Sequence, residues 1–397
     1  MNILVVTQRL PYPPNKGEKI RTYHQIKWLC EQGHQITVAC PIGMQEEWAD
    51  LATLKQQLGI AVIAGLLPNK VLRLLRGLLR GSSMSEAYFY SPALIKAIQE
   101  VIENNDFELI LLSASSLLPY AKALSQPILM DFMDIDSDKW AQYAERASLP
   151  MSWVYRRESR KIAELEYAAV QRAQACFLIS DVEIALFKRR ISANNIYRLG
   201  NGIDTTLFYP ASTGLREQCS DDPILLFVGA MDYTPNIDAM IWFAEAVWVK
   251  FRRKYPQATL IIAGMNPSSR IQALGRMPGV EVTGFVMDIL PYFHRADVFI
   301  APFRIARGVQ NKVLQAFACG LPTVSTRVGV EGIACQENEH YVQAETADDF
   351  VDGIACLLED TLARRRLSRN AMNLIREHYS WDAQLSVLGD HVETCGQ

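Results

Sequence analysis

The sequence contains no Cys-x-x-Cys pair among its eight cysteines. That argues against a zinc site or a disulfide framework and for thiols kept reduced in a cytoplasm. No apolar run reaches the length of about 18 residues that a membrane-crossing helix needs. The first residues, Met1-Asn2-Ile3-Leu4-Val5-Val6, have neither the basic start nor the long apolar stretch of a secretory leader. A strong charge of one sign is also lacking. The net charge of −3 offers no bulk affinity for nucleic acid. The loop after the first apolar run lacks a Gly-x-Gly-x-x-Gly fingerprint, so a nicotinamide enzyme is not supported.

What is present is the composition of a soluble globular protein, 49% hydrophobic and 21% charged over 397 residues. That length exceeds one ordinary core and implies two domains. Residues 1–204 carry 23 basic and 21 acidic side chains, whereas residues 205–397 carry 17 and 22.

Both halves alternate short apolar runs with helical periodicity. Asn2 to Thr7 reads as a strand buried on both faces, followed by a Pro- and Gly-containing loop, a helix from about Gly17 to Glu31 and a strand over Gln35 to Cys40. Further strands are expected over Phe107 to Ser113, Pro127 to Met130, Ala175 to Ile179 and Ile196 to Leu199. A long amphipathic helix covers Met151 to Gln174. Asn201-Gly202-Ile203-Asp204 reads as a turn, and the polar stretch Ala211 to Pro223 as a linker. The second half continues with strands over Ile224 to Val228, Thr259 to Ala263 and Val280 to Val286, and helices over Asp348 to Leu358 and from Tyr379-Ser380-Trp381 onward. The alternation gives two doubly wound α/β domains with a cleft between them.

Two segments stand out by charge. Leu66 to Arg80 has four basic residues and no acidic ones, with leucines at helical spacing. It reads either as a core helix with solvated arginines or as a helix lying on an anionic membrane surface. Asp131 to Trp140 carries alternating aspartates. These could bind a divalent cation or cap a helix after Ser137.

The stretch Phe299 to Val324 is the most informative. A short apolar strand stops at Pro302, and the loop Phe303 to Asn311 is rich in arginine, glycine and amides. A helix begins near Asn311 or Lys312 and ends at Gly320, and Thr323-Val324-Ser325 resumes as strand. A helix N-terminus facing cations suits a phosphate.

This stretch resembles the donor-site loop and helix of the group-1 (family 4) GT-B glycosyltransferases. Leu314-Gln315-Ala316-Phe317-Ala318-Cys319-Gly320-Leu321-Pro322 fits the second half of their Glu-x7-Glu pattern. Arg304 to Leu314 resembles more closely the exopolysaccharide and exosortase (PEP-CTERM) system-associated sugar transferases. Asn201-Gly202-Ile203-Asp204 followed by Phe208-Tyr209-Pro210 is similar to another element of the group. The sequence departs from the general pattern at Arg307 and Gln315, where glutamates stand, and at Ala230, where an arginine usually follows the glycine.

The resemblance implies a GT-B fold, two Rossmann-like domains facing across a cleft: residues 1–205 on the acceptor side, 206–378 binding nucleotide-sugar, and 379–397 crossing back as a helix. It implies a retaining hexosyltransferase that moves a sugar from a nucleotide-diphosphate donor, with no cofactor and no metal, to a lipid-linked or saccharide hydroxyl in exopolysaccharide synthesis. The front-face mechanism of retaining members asks for no protein base.

Catalytic roles fall on Arg307, Lys312 and Asp134, and donor-phosphate contacts on Gly17, Arg304, Arg307, Asn311 and Lys312. Gly229, Gly284, Phe285, Val286 and Gln315 would meet the nucleotide, and Lys16, Arg21 and Asp131 the acceptor. His294 reads as a helix-surface residue. A cytoplasmic protein touching the inner membrane face through 66–80 is expected. The alternatives are a degenerate binder of nucleotide-sugar, suggested by Gln315, a nucleotide-sugar epimerase, and an assembly partner of a polysaccharide machine.

Overall fold

The computed structural model describes residues 1–211, 222–305 and 309–396. The chain divides into two compact units. One is Met1–Gly202 joined by the last residues from Gln384; the other is Ile203–Ala383.

The first unit holds a seven-stranded sheet of β1 (Asn2–Val6), β2 (Gln35–Ile42), β3 (Ala61–Leu66), β4 (Leu109–Leu112), β5 (Ile128–Met133), β6 (Ala175–Leu178) and β7 (Ile196–Arg198). Their order is β3-β2-β1-β4-β5-β6-β7, and every pairing is parallel. β1 lies inside the sheet, with Ile3 opposite Ile36 on one side and Leu109 on the other. That position explains its unbroken apolar run, since both faces are covered.

The helices that matter here are α1 (Gly17–Glu31), α2 (Lys70–Leu79), α3 (Met84–Phe89), α4 (Asp136–Arg146) and α5 (Met151–Arg172). The basic segment expected as one helix over 66–80 is divided. Leu66 closes β3, Pro68 breaks the chain, and Asn69 caps α2 by accepting a hydrogen bond from the Val71 amide at 2.9 Å. The aspartate-rich segment differs from expectation as well. α4 is already helical at Asp136, and no side chain caps it.

The second unit repeats the plan with β8 (Ile224–Val228), β9 (Thr259–Ala263), β10 (Val280–Gly284), β11 (Val298–Ala301), β12 (Thr323–Ser325) and β13 (Val342–Gln343). The order is β10-β9-β8-β11-β12-β13, again all parallel. The chain steps outward from β8 to β10 and then crosses back to β11 on the other side of β8, so the strand order reverses between β8 and β11, where open α/β sheets bind ligands. α6 (Thr234–Trp242) follows β8 and runs on through a π-helical turn, Phe243–Trp248. α7 (Asn311–Ala318) follows β11, and α8 (Trp381–Cys395) ends the chain. Each unit has its own buried apolar cluster. The linker expected over 211–223 lies mostly outside the described residues.

Candidate active site

In the first unit the carboxyl ends of the sheet strands surround a recess of about 410 Å³. Gly17 and Arg21 border it from the first turns of α1, Asp134 from the end of β5, Lys139 from α4, and Asn201 from beyond β7. Asp134 is exposed and Lys16, at the N-cap of α1, points to solvent. Met133, the residue before Asp134, has φ 64°, a left-handed conformation that costs a non-glycine residue energy. A register shift between Asp131 and Met133 accompanies it and turns the chain into the recess.

Arg21 and Asp131 are held differently from their expected acceptor-side roles. Both are buried, at 1% and 0% exposure. Arg21 Nε and Nη2 fork onto the Asp131 carboxylate at 2.6 and 2.9 Å, and Gln25 Nε2 donates to the same group at 2.6 Å. Arg21 Nη1 donates to Asn201 Oδ1 at 3.0 Å. Asp131 lies within β5, spent on this pair, and does not border the recess. It anchors α1 to the sheet, and Arg21 passes that order to Asn201. Taking both charges out of water is tolerable because each has its partner.

In the second unit the ends of β8 and β9 and the start of α7 converge. The Lys312 ammonium donates to Asn236 Oδ1 at 2.6 Å, and Asn236 Nδ2 donates to the Ala230 carbonyl at 2.8 Å. The same ammonium lies 4.8 Å from the Phe303 ring centre and 5.2 Å from that of Phe227. Burial pulls its pKa down to about 8. Gly229 is glycine for a reason of space: a Cβ there would stand 2.6 Å from Asn236 Nδ2 and 3.1 Å from Lys312 Nζ. Gly264 is held more tightly still, at φ +147°, where a Cβ would meet the Gly229 carbonyl oxygen at 1.7 Å.

Asn311 opens α7 and is exposed; Gln315 lies one turn on, partly exposed. Arg304, expected on the donor phosphate, forks instead onto Asp238 of α6, with Nε 3.0 Å from Oδ2. Gly284 turns the chain at φ 68° at the end of β10, two strands from β8. Phe285 beyond it is 69% exposed and Val286 partly so. His294 Nε2 lies 2.7 Å from the Tyr209 carbonyl oxygen. Arg307 lies outside the described residues. Among the described residues, no group of three or more His, Cys, Asp or Glu side chains is placed to hold a metal ion.

Sequence reasoning missed Asn236, Lys139 and Asn201 as site residues. Asn236 carried a signal, a polar side chain in the first turn of the helix that follows the Gly229 turn. Asn201 stood in a motif read only for its turn.

A family model described as glycosyl transferases group 1 matches residues 222–360. An uncharacterized 44.6 kDa protein in the cps region of Klebsiella pneumoniae is 19% identical over 95% of this chain and 96% of its own. A phosphatidylinositol N-acetylglucosaminyltransferase subunit from Arabidopsis thaliana is 22% identical over 56% of this chain. The match spans about half of that relative's length, 48%. HepE of Anabaena, solved in complex with UDP, superposes with a TM-score of 0.65 at 16% identity, covering 99% of this chain and 100% of its own. At that identity the likeness is one of fold. Residues 222–360 therefore match a group 1 glycosyl transferase domain, carried in a chain of GT-B fold.

Proposed function

We propose that the protein is a retaining hexosyltransferase that moves a sugar from a nucleoside-diphosphate donor to the hydroxyl of a lipid-linked or saccharide acceptor in exopolysaccharide synthesis. The observation that carries this is Lys312, a largely buried ammonium beside Gly229 at the point where the strand order reverses. Desolvation strengthens its attraction for an anion, and the amides of the first turn of α7 add to it. HepE, the Anabaena protein of like fold, has been solved with UDP-glucose.

In this reading the bond between the sugar's anomeric carbon and the diphosphate oxygen breaks as the acceptor oxygen bonds on the same face. The acceptor proton passes to the departing diphosphate oxygen. Lys312, Asn311 and Arg307 stabilise the negative charge that develops, which lowers the barrier without a protein base. Arg304 joins them by leaving Asp238. Gly17 leaves room at the first turn of α1, and Asp134 orients the acceptor hydroxyl. Gly229, Gly284, Phe285, Val286 and Gln315 hold the nucleoside. Donor and acceptor suffice, with no cofactor or metal. The chain works at the cytoplasmic face of the membrane, touching it through 66–80.

Thermal-shift titration with UDP, GDP and their sugar conjugates tests the donor site. Saturating stabilisation by one base family, lost in Lys312→Ala, is the expected result. No shift with any nucleotide, or an unchanged shift in Lys312→Ala, counts against it. A second reading, binding without efficient transfer, rests on Gln315, which has one acceptor oxygen and no charge for a ribose hydroxyl. A large gain in turnover in Gln315→Glu favours it.

A further inference from the structure

The first unit carries a second recess, of about 230 Å³, bounded by α2, the turn after it and α3. Arg73, Arg76 and Arg80 line it, with Glu86 as the facing carboxyl. Arg73 is 9% exposed, and its Nε and Nη1 have no hydrogen-bond partner. Its guanidinium stacks 5.1 Å from the Tyr88 ring centre, which fixes the plane and supplies no acceptor. A buried guanidinium with unused donors is costly unless something accepts them. α2 is close to α3 because Gly77 lets it be: a Cβ there would lie 2.3 Å from the Ala87 Cβ.

The outer face of α2 is apolar and open. Leu72, Leu75, Leu78 and Leu79 are all more than half exposed, Leu79 by 87%. Leu72 also lines the recess, so the apolar row and the arginine site share an edge. A second exposed group stands nearby. Arg157 of α5 donates to the Ser82 carbonyl at 3.1 Å, and Trp153, one turn earlier on the same face, is 63% exposed. Leucines, arginines and a tryptophan along one side fit a bilayer surface.

We propose that the recess is an anchoring site for the phosphate of an anionic phospholipid, with α2 lying in the interface, its leucines among the acyl chains and Trp153 at the headgroups. Arg73 keeps unused N–H donors on a planar guanidinium, and phosphate oxygens can accept from them. A free phosphate leaves the leucine row unexplained, and an apolar protein partner leaves Arg73 unexplained. The site shares no lining residue with the recess at Asp134. It rests on the membrane-surface reading above and adds to it a defined headgroup pocket.

The test is co-sedimentation of the full chain with phosphatidylcholine vesicles, with and without phosphatidylglycerol. Binding is expected only with phosphatidylglycerol, lost in Leu78→Glu/Leu79→Glu and weakened about fivefold in Arg73→Gln. Arg73→Lys, which keeps the charge and loses the planar guanidinium, should weaken it too, whereas Arg189→Gln elsewhere on the unit should not. Should Arg73→Gln not fold, Arg76→Gln/Arg80→Gln takes its place. Equal binding to both vesicles, none to either, or wild-type binding by both Arg73 variants overturns the proposal. Nucleotide-induced thermal shifts on the same proteins separate it from the donor site. Vesicle binding lost with the shift retained affects only one reading, and the reverse only the other.

Discussion

Lys312 shows how one side chain can carry opposite pH dependences for stability and for binding. Burial lowers its pKa from 10.5 to about 8. The unfolded chain therefore holds this proton more tightly than the folded one. In the free protein, stability from this group rises with pH between about 8 and 10.5, where only the unfolded state remains protonated. A bound diphosphate favours the charged ammonium and raises its pKa. Donor binding then takes up a proton above pH 8, and affinity falls as pH rises, by at most about tenfold per unit. Calorimetric titration with the cognate nucleoside diphosphate at pH 7, 8 and 9 should show that fall, and Lys312→Met should bind weakly with no slope. A flat profile in the natural protein removes Lys312 from the phosphates. At this scale the sequence was partly legible. Lys312 stood in a motif, and Arg21 and Asp131 were picked out as polar residues near a glycine loop and a strand end. Their partnership spans 110 residues. Nothing local marks it, so two residues that lock each other were read as open to an acceptor.

At the scale of elements, the strands were legible wherever both faces are covered, because a short unbroken apolar run is what burial on both sides demands of a strand. The 66–80 segment was harder, since β3 flows into the next apolar stretch and only Pro68-Asn69 marks the boundary. The loop after β11 shows another limit. Its arginines suggested a phosphate, yet Arg304 is tied to Asp238 of α6, with Trp242 6.0 Å from the guanidinium. The Arg304 side chain is 51% exposed, so the pair adds no more than about 1 kcal/mol and can exchange for a ligand. Asp238→Asn should leave the melting temperature nearly unchanged and tighten nucleoside-diphosphate binding severalfold, because it frees a cation beside the site. Unchanged affinity would mean that Arg304 serves only to hold the loop to α6.

On the scale of the whole molecule, the alternation of strand and helix made the doubly wound architecture legible, since each buried parallel sheet needs helices on both faces. Cohesion within a unit is another matter, because it depends on contacts remote in sequence. The second unit is continuous from Ile203 to Ala383, whereas the first takes back the chain from Gln384 onward. Leu385, Leu388 and Val392 of α8 are buried. A Cβ at Gly389 would stand 2.6 Å from the Trp28 ring, so α8 meets α1 where only glycine fits. Ending the chain at Ala383 removes the burial of those three side chains and uncovers the face of α1 beneath them. At about 1.5–3 kcal/mol each, that is enough to lower the first unit's unfolding transition by more than roughly 10 °C. The second unit keeps its own core, including Ile203, whose amide donates to the Tyr379 carbonyl at 2.6 Å. Scanning calorimetry of the truncated protein should therefore separate a lowered transition from one that holds its place and still moves up with the cognate nucleotide. If both transitions fall together, the units do not unfold independently. The donor domain would then depend on the last fourteen residues as much as the sheet they pack against does.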